Sequence, residues 1–293
     1  PFGNIATGNS SVVADLIGIH TGDYLVTEAG FGADMGAERF FNIKCRNSGL
    51  TPDAAVVVAT VRALKAHSGK YKIVAGRPLP EEMLRENPDD VLAGAANLRK
   101  QIENVKLHGV PPVVSVSTFP TDHPSEYEAI RQVAAEMGVR SAVSSHFDHG
   151  GRGATELAEA VAEAADEPDE FRFLYLEQAS LRQKIETVAT KVYGAAGVSY
   201  SAQAAKQLDT YERNGFGRLP VCIAKTHLSI SSDPALKGAP TGWTLPVREV
   251  RASVGAGFVY PICGEMRTMP GLSSNPAAAR IDIDADGEIV GLS

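Results

Sequence analysis

With 293 residues, 44% of them hydrophobic, 22% charged and 6% aromatic, the chain has an ordinary globular composition with room for one large domain or two moderate ones. A formal charge of −7 and a pI near 5.6 argue against nucleic acid or an anionic membrane as main partner, since both select a basic surface. The longest apolar run, Ala54 to Val61, is far short of the ~20 residues of a membrane span. Cys45, Cys222 and Cys263 lie too far apart for a CxxC site, and an odd number without a secretory signal fits a reducing cytoplasm. The opening Pro1-Phe2-Gly3 carries no methionine and no leader, and reads as a chain entered partway.

In chain order, β-prone apolar runs alternate with segments of helical period. Strands are expected at Asp23–Glu28, Ala54–Thr60, Val110–Thr118, Arg140–Ser145 and Val221–Ala224, and continuous apolar character points to buried strands of a largely parallel sheet. Helices are expected at Val91–Leu107, at Pro124–Met137 with proline in its first turn, and at Thr155–Ala164, Leu181–Tyr193 and Ser201–Arg213. Gly194 and Gly215 sit just past two of them, where a left-handed residue closes a helix. Arg77–Asp90, rich in proline and charge, reads as a surface insertion. From about residue 220 the chain turns β-rich, and Asp284-Ala285-Asp286-Gly287 is a turn signal. The expected fold class is therefore α/β, a largely parallel sheet flanked by helices over 1–219 and a smaller β-rich element over 220–293.

Four stretches carry chemistry. Thr27 to Glu38 follows an expected strand and holds Gly30, Gly32 and Gly36, letting backbone N–H groups approach an anion; its GxGxxxG spacing departs from a dinucleotide fingerprint. A nicotinamide site and a ligand-free turn both remain open there. Phe119-Pro120 and Phe147 follow the third and fourth strands, where a pair of aromatics clamps a flat heterocycle or merely plugs a turn. His146, Asp148 and His149 offer metal-type ligands in a loop too sparse for a convincing site. Lys225, at the end of the last strand, suits either a phosphate or a surface salt bridge. The turn Met269-Pro270-Gly271-Leu272 has no chemistry derivable from its residues. No GxxxxGK[ST] occurs, so a phosphate-cradling P-loop is not encoded in these residues.

Taken together, PFGNIATGNSS, VTEAGFGADMGAERFFNIKCR, PDAAVVVATVRALK, NLRKQIENVKLHGVPPVV, KIETVATKVYGA, GFGRLPVCIAKT, VREVRASVGAGF and MRTMPGL strongly resemble formate–tetrahydrofolate ligase, in order and nearly end to end, over the C-terminal half of that family's chain. The resemblance implies a fold similar to P-loop NTPases, with the P-loop in the half missing here. It also implies ATP-dependent ligation of formate to tetrahydrofolate through formyl phosphate, with ATP and magnesium, tetrahydrofolate, and a monovalent cation as a further candidate ion. The implied partners are small-molecule substrates, the chain's own N-terminal half and copies of itself in a homotetramer, in the cytoplasm.

Residue by residue, the resemblance puts Phe119, Pro120, Phe147, Val143 and Gly3 in the folate pocket, with the two aromatics sandwiching the pterin. Phe31 and Gly32 match residues near the nucleotide, Pro240-Thr241 lies by the adenine, and Gly36 faces the reaction site. Three positions depart from the family pattern. Ser117-Thr118 replaces Asn and a basic residue, Phe147-Asp148-His149 replaces Trp-Ala-Lys, and His227 replaces Gln. Phenylalanine for tryptophan keeps the stacking but shrinks the platform, a loss of ~1 kcal/mol. A second reading, a non-catalytic folate-binding or oligomerising subunit from a split or degenerate gene, stays open. A third, an NAD-dependent oxidoreductase using Gly30 to Gly36, predicts nicotinamide binding.

Overall fold

The computed structural model describes residues 7–74, 77–168, 170–264, 279–285 and 289–291. Gly3 and the Met269-Pro270-Gly271-Leu272 turn lie outside the described residues. Helix α1 (Val12–Thr21) opens where Ser11 Oγ accepts the Ala14 amide, and two π-helical stretches, Ala33–Ala37 and Phe40–Cys45, lead into the short α2 (Arg46–Ser48). Then come β1 (Ala55–Ala59), α3 (Val61–His67), capped by the Thr60 hydroxyl, α4 (Glu81–Leu84), and α5 (Pro88–Lys106), capped by Asn87 with proline in the first turn.

Strand β2 (Pro112–Ser117), α6 (Pro124–Glu136), β3 (Arg140–Ser144), the single turn α7 (His146–His149) and α8 (Thr155–Ala165) complete the first half. Helix α9 (Leu181–Thr187) widens into a π-helical turn at Val188–Val192 and is followed by β4 (Gly197–Tyr200), α10 (Ala202–Arg213), β5 (Thr244–Ser253) and β6 (Phe258–Cys263). A small antiparallel pair, β7 (Asp282–Ile283) and β8 (Ile289–Val290), flanks the predicted 284–287 turn. Among the described residues no helix is long and apolar enough to cross a membrane.

The strands form two three-stranded sheets rather than one largely parallel one. In the first, β1, β2 and β3 lie parallel in that order; in the second, β5 pairs parallel with β4 and antiparallel with β6. Each sheet has its own core. Val114 and Val116 of β2 meet Leu64 of α3, Leu98 and Ile102 of α5 and Ile130 of α6, whereas Leu245 and Val250 of β5 meet Ile185 of α9 and Leu208 of α10. This is how α/β layers bury one face of every helix.

Three expectations need correction. Asp23–Glu28 is no strand: among the described residues it pairs with no other segment, the nearest bridge joining Asn9 to Ala29 just beyond it, and Tyr24 and Val26 stand exposed, since an extended run without a partner has no ladder to join. Val221–Ala224 is extended and fully buried but makes only two parallel bridges to β6. The amides of Cys222 and Ala224 donate to the carbonyls of Val259 and Pro261 at 2.8 Å, and the Cys263 amide returns to Ala224 at 2.8 Å. Pro261 stands between them with no N–H to give, which breaks the ladder at its middle. Arg77–Asp90 is not a loose insertion, because Met83 and Asp90 are buried and Met83 and Arg85 offer their carbonyls to Lys65 Nζ at 3.0 and 2.7 Å.

One face of the first sheet is covered only in part among the described residues. Helix α8 packs on β3 and β2, but Val56 and Val58 on the edge strand β1 remain exposed, Val58 to 65%. Parallel strands normally bury both faces. Helix α1 adds exposed Val13, Leu16 and Ile17.

Candidate functional site

The glycine-rich turn is fixed from below by a buried charge pair. Lys225 is fully buried, not a surface lysine, and its Nζ donates to Asp34 Oδ2 at 2.6 Å, Ser229 O at 2.7 Å and Thr226 O at 3.2 Å while lying 4.9 Å from the Tyr193 ring centre. An ammonium has three N–H donors, so none is left for a phosphate. Burial lowers the lysine's pKa and the Asp34 charge opposes that shift. Asp34 is gripped again by α5, where Gln101 accepts the Asp34 amide at 2.8 Å and donates to its Oδ1 at 2.9 Å.

Above this anchor, Phe31 takes a left-handed backbone conformation (φ 68°), the one non-glycine among the described residues to do so. Its half-exposed ring stacks on His227, with centroids 4.9 Å apart and planes 18° from parallel. A side chain on Gly32 would crowd Asp34 Oδ1 at 2.7 Å, and one on Gly36 would run into the Gly30 carbonyl. Glycine here serves close approach of chain to chain.

The Pro240-Thr241 loop is tied to the same scaffold. Trp243 Nε1 donates to Pro240 O at 3.0 Å, Asn97 of α5 donates to Gly238 O at 3.2 Å, and the Gly238 amide donates to His67 Nδ1 of α3 at 3.2 Å. Accepting that amide requires an unprotonated Nδ1, and burial, then Lys237, lowers the pKa of His67 accordingly. Asn97 and Gln101 are one helical turn apart, so one face of α5 holds both the glycine-rich turn and the 231–243 loop.

At the carboxyl edge of the first sheet, Ser117 of β2 pairs with Ser144 of β3, so Phe119 and Phe147 leave neighbouring strand ends. Phe119 is 37% exposed, its amide held by Asp122 Oδ2 at 3.0 Å, and Pro120 beside it is exposed. Phe147, on α7, is 90% exposed and, among the described residues, makes no ring contact. Val143 is partly buried against the first core. His146 and His149 are held by Ser144 and Ser145 hydroxyls at 2.8 and 3.2 Å. Among the described residues no three His, Cys, Asp or Glu side chains cluster to hold a metal, so the magnesium the resemblance implies finds no such donor set there.

Sequence reasoning missed Asp34, Arg62, His67, Asn97 and Gln101, all of which hold candidate segments in place. The one signal was the polar pair Asn97 and Gln101 four residues apart on one helix.

The geometry defines an α/β protein with aromatic side chains at the carboxyl ends of adjacent parallel strands and, separately, a glycine-rich turn braced by a buried charge pair. The chain belongs to the formate–tetrahydrofolate ligase family, whose model matches residues 1–293. It is 75% identical over 293 residues to the formate–tetrahydrofolate ligase of Saccharopolyspora erythraea and 71% identical over 301 residues to formate–tetrahydrofolate ligase 3 of Rubrobacter xylanophilus. It is also 64% identical over 292 residues to the ligase of Cutibacterium acnes. Each alignment takes in 100% of this chain and 52% of the relative, so the chain spans about half the length of the curated relatives it matches.

Proposed function

We propose that the chain is the C-terminal half of an ATP-dependent ligase that joins formate to tetrahydrofolate, giving 10-formyltetrahydrofolate. A formate oxygen attacks the γ-phosphorus of ATP and ADP departs; N10 of tetrahydrofolate then attacks the formyl carbon and phosphate leaves. The observation that carries the reading is the match of every residue to ligases about twice as long.

In this reading Phe119 and Phe147 sandwich the pterin, with Pro120, Val143 and Gly3 lining the pocket. Phe31 and Gly32 contact the nucleotide, Pro240-Thr241 lies by the adenine, and Gly36 keeps the turn close at the reaction site. The phosphate cradle comes from the companion half, since these residues encode no P-loop and Lys225 has no free donor. The companion covers the exposed side of β1 at Val56 and Val58, restoring the layer that parallel strands call for.

The test is formation of 10-formyltetrahydrofolate from formate, ATP and tetrahydrofolate, by this chain alone and with a P-loop-bearing half added. Product only in the mixture supports the proposal. No product from halves that are folded and associated sinks it in favour of a non-catalytic subunit. Phe119→Ala should weaken tetrahydrofolate binding at least tenfold, on the scale of a lost aromatic stack.

A further inference from the structure

Arg62 is the second residue of α3; among the described residues it makes no ion pair within 4 Å, its Nε is buried without a partner, and the Asp122 carboxylate is the acidic group that feels its charge. Its guanidinium carbon lies 3.7 Å from the Phe119 ring centre, and the same group donates to Thr121 Oγ1 at 3.2 Å. Both contacts go to one turn, which Asp122 closes by donating its amide to Phe119 O and accepting the Phe119 amide, each at 3.0 Å. A planar cation therefore covers one face of the Phe119 ring, and its hydrogen bond to the next-but-one side chain fixes it there.

A ring has two faces. With one capped by Arg62, Phe119 is still 37% exposed, so a ligand that stacks on it has to use the other. We infer that Arg62 is a positioning and specificity residue for the pterin: it backs Phe119 in a three-layer stack of guanidinium, phenyl ring and heterocycle, and favours the reduced, electron-rich pterin over an oxidised one. This inference rests on the folate-pocket reading of Phe119.

The physical reason is the ring quadrupole. A phenyl ring presents negative charge on both faces, and a cation on one face draws that density toward itself. The open face is left less negative, so an electron-rich partner meets less repulsion there than on a bare phenyl ring. The tetrahydropterin, with its saturated ring and amine nitrogens, is more electron-rich than the fully aromatic pterin of folic acid. Arg62 thus acts through Phe119 without touching the substrate, and its effect should appear in the ratio of the two affinities.

The experiment measures dissociation constants of tetrahydrofolate and folic acid for the full chain and for Arg62→Met, Arg62→Lys, Phe119→Leu and the double variant Arg62→Met/Phe119→Leu, with circular dichroism to verify folding. Arg62→Met should weaken tetrahydrofolate about threefold or more and folic acid distinctly less, because the cation–π contact is present with and without ligand and only its effect on the open face changes affinity. Arg62→Lys, which keeps the charge, should recover part of the preference. In the Phe119→Leu background Arg62→Met should have no further effect. If Phe119→Leu loses tetrahydrofolate but Arg62→Met stays within twofold of the parent, or weakens both ligands equally, the inference is overturned while the folate reading stands. If Phe119→Leu leaves both affinities unchanged, the folate reading fails and takes the inference with it.

Discussion

Lys225, fully buried, ties the glycine-rich turn at Asp34 to the 226–229 segment through a single charge. Removing its charge as Lys225→Met leaves Asp34 buried with Gln101 as its remaining side-chain partner. Stranding one member of a buried pair costs about 3–5 kcal/mol, and we expect that loss in urea denaturation. Lys225→Met/Asp34→Asn should recover part of it, because neither charge is then buried alone; equal stability of the single and double variants would refute the pairing's importance. From sequence Lys225 read as a lysine at a strand end, which it is, but its partner lies 191 residues away and no local pattern connects the two. Phe119 was legible as an aromatic at a strand terminus, whereas Arg62 was not, because the two meet only once α3 and β2 share a core.

At the scale of elements, what could be read depended on whether an element's stability is local or supplied by a neighbour. Helices α5 and α6 carry their own caps, period and initial prolines, and their predicted bounds agree with the structure within three residues at either end. Strands β1 to β3 were visible as β-branched runs. Asp23–Glu28 also holds a β-prone run, Tyr24 to Thr27, yet forms no ladder, because pairing is a property of two segments. The π-helical turns escaped prediction as well, since a widened turn leaves no composition signature. Helix α5 bears a prediction of its own. Gln101→Ala removes two hydrogen bonds to Asp34 and should cost about 1–3 kcal/mol in thermal or urea unfolding. In the assembled ligase it should raise the KM for ATP more than that for tetrahydrofolate, since it loosens the turn that bears Phe31 and leaves Phe119 in place. Equal changes in both constants would count against that division.

At the scale of the molecule, buried titrating groups shape the dependence of stability on pH. Glu38 is buried, and desolvation raises its pKa from 4.5 to about 7 against the opposing hydrogen bond from Asn42. A raised carboxyl pKa means the folded state binds the proton more tightly, so its contribution is full below pH 4.5 and lost as pH rises through about 7. His108 runs the other way. Burial lowers its pKa from 6.5 to about 4, so its contribution is full above pH 6.5 and lost as pH falls toward 4. Between 4.5 and 6.5 the two slopes oppose each other. Glu38→Gln removes one of them, and its stability relative to the parent should grow by about 3 kcal/mol from pH 4.5 to 7 and then level off, as followed by urea midpoints across that range. A difference that stays flat with pH would show that Glu38 titrates alike in the folded and unfolded states.

Helix α3 runs only from Val61 to His67, with Arg62 in its first turn against Phe119 and His67 at its end receiving the amide of Gly238. Two turns of helix therefore measure out the distance between the platform for one proposed substrate and the loop for the other, as a gauge block sets a gap. Its length is quantised: one residue more or fewer would advance His67 by about 1.5 Å and swing it by about 100° around the axis. A change of length in this segment would therefore have to be absorbed by the turns on either side of it.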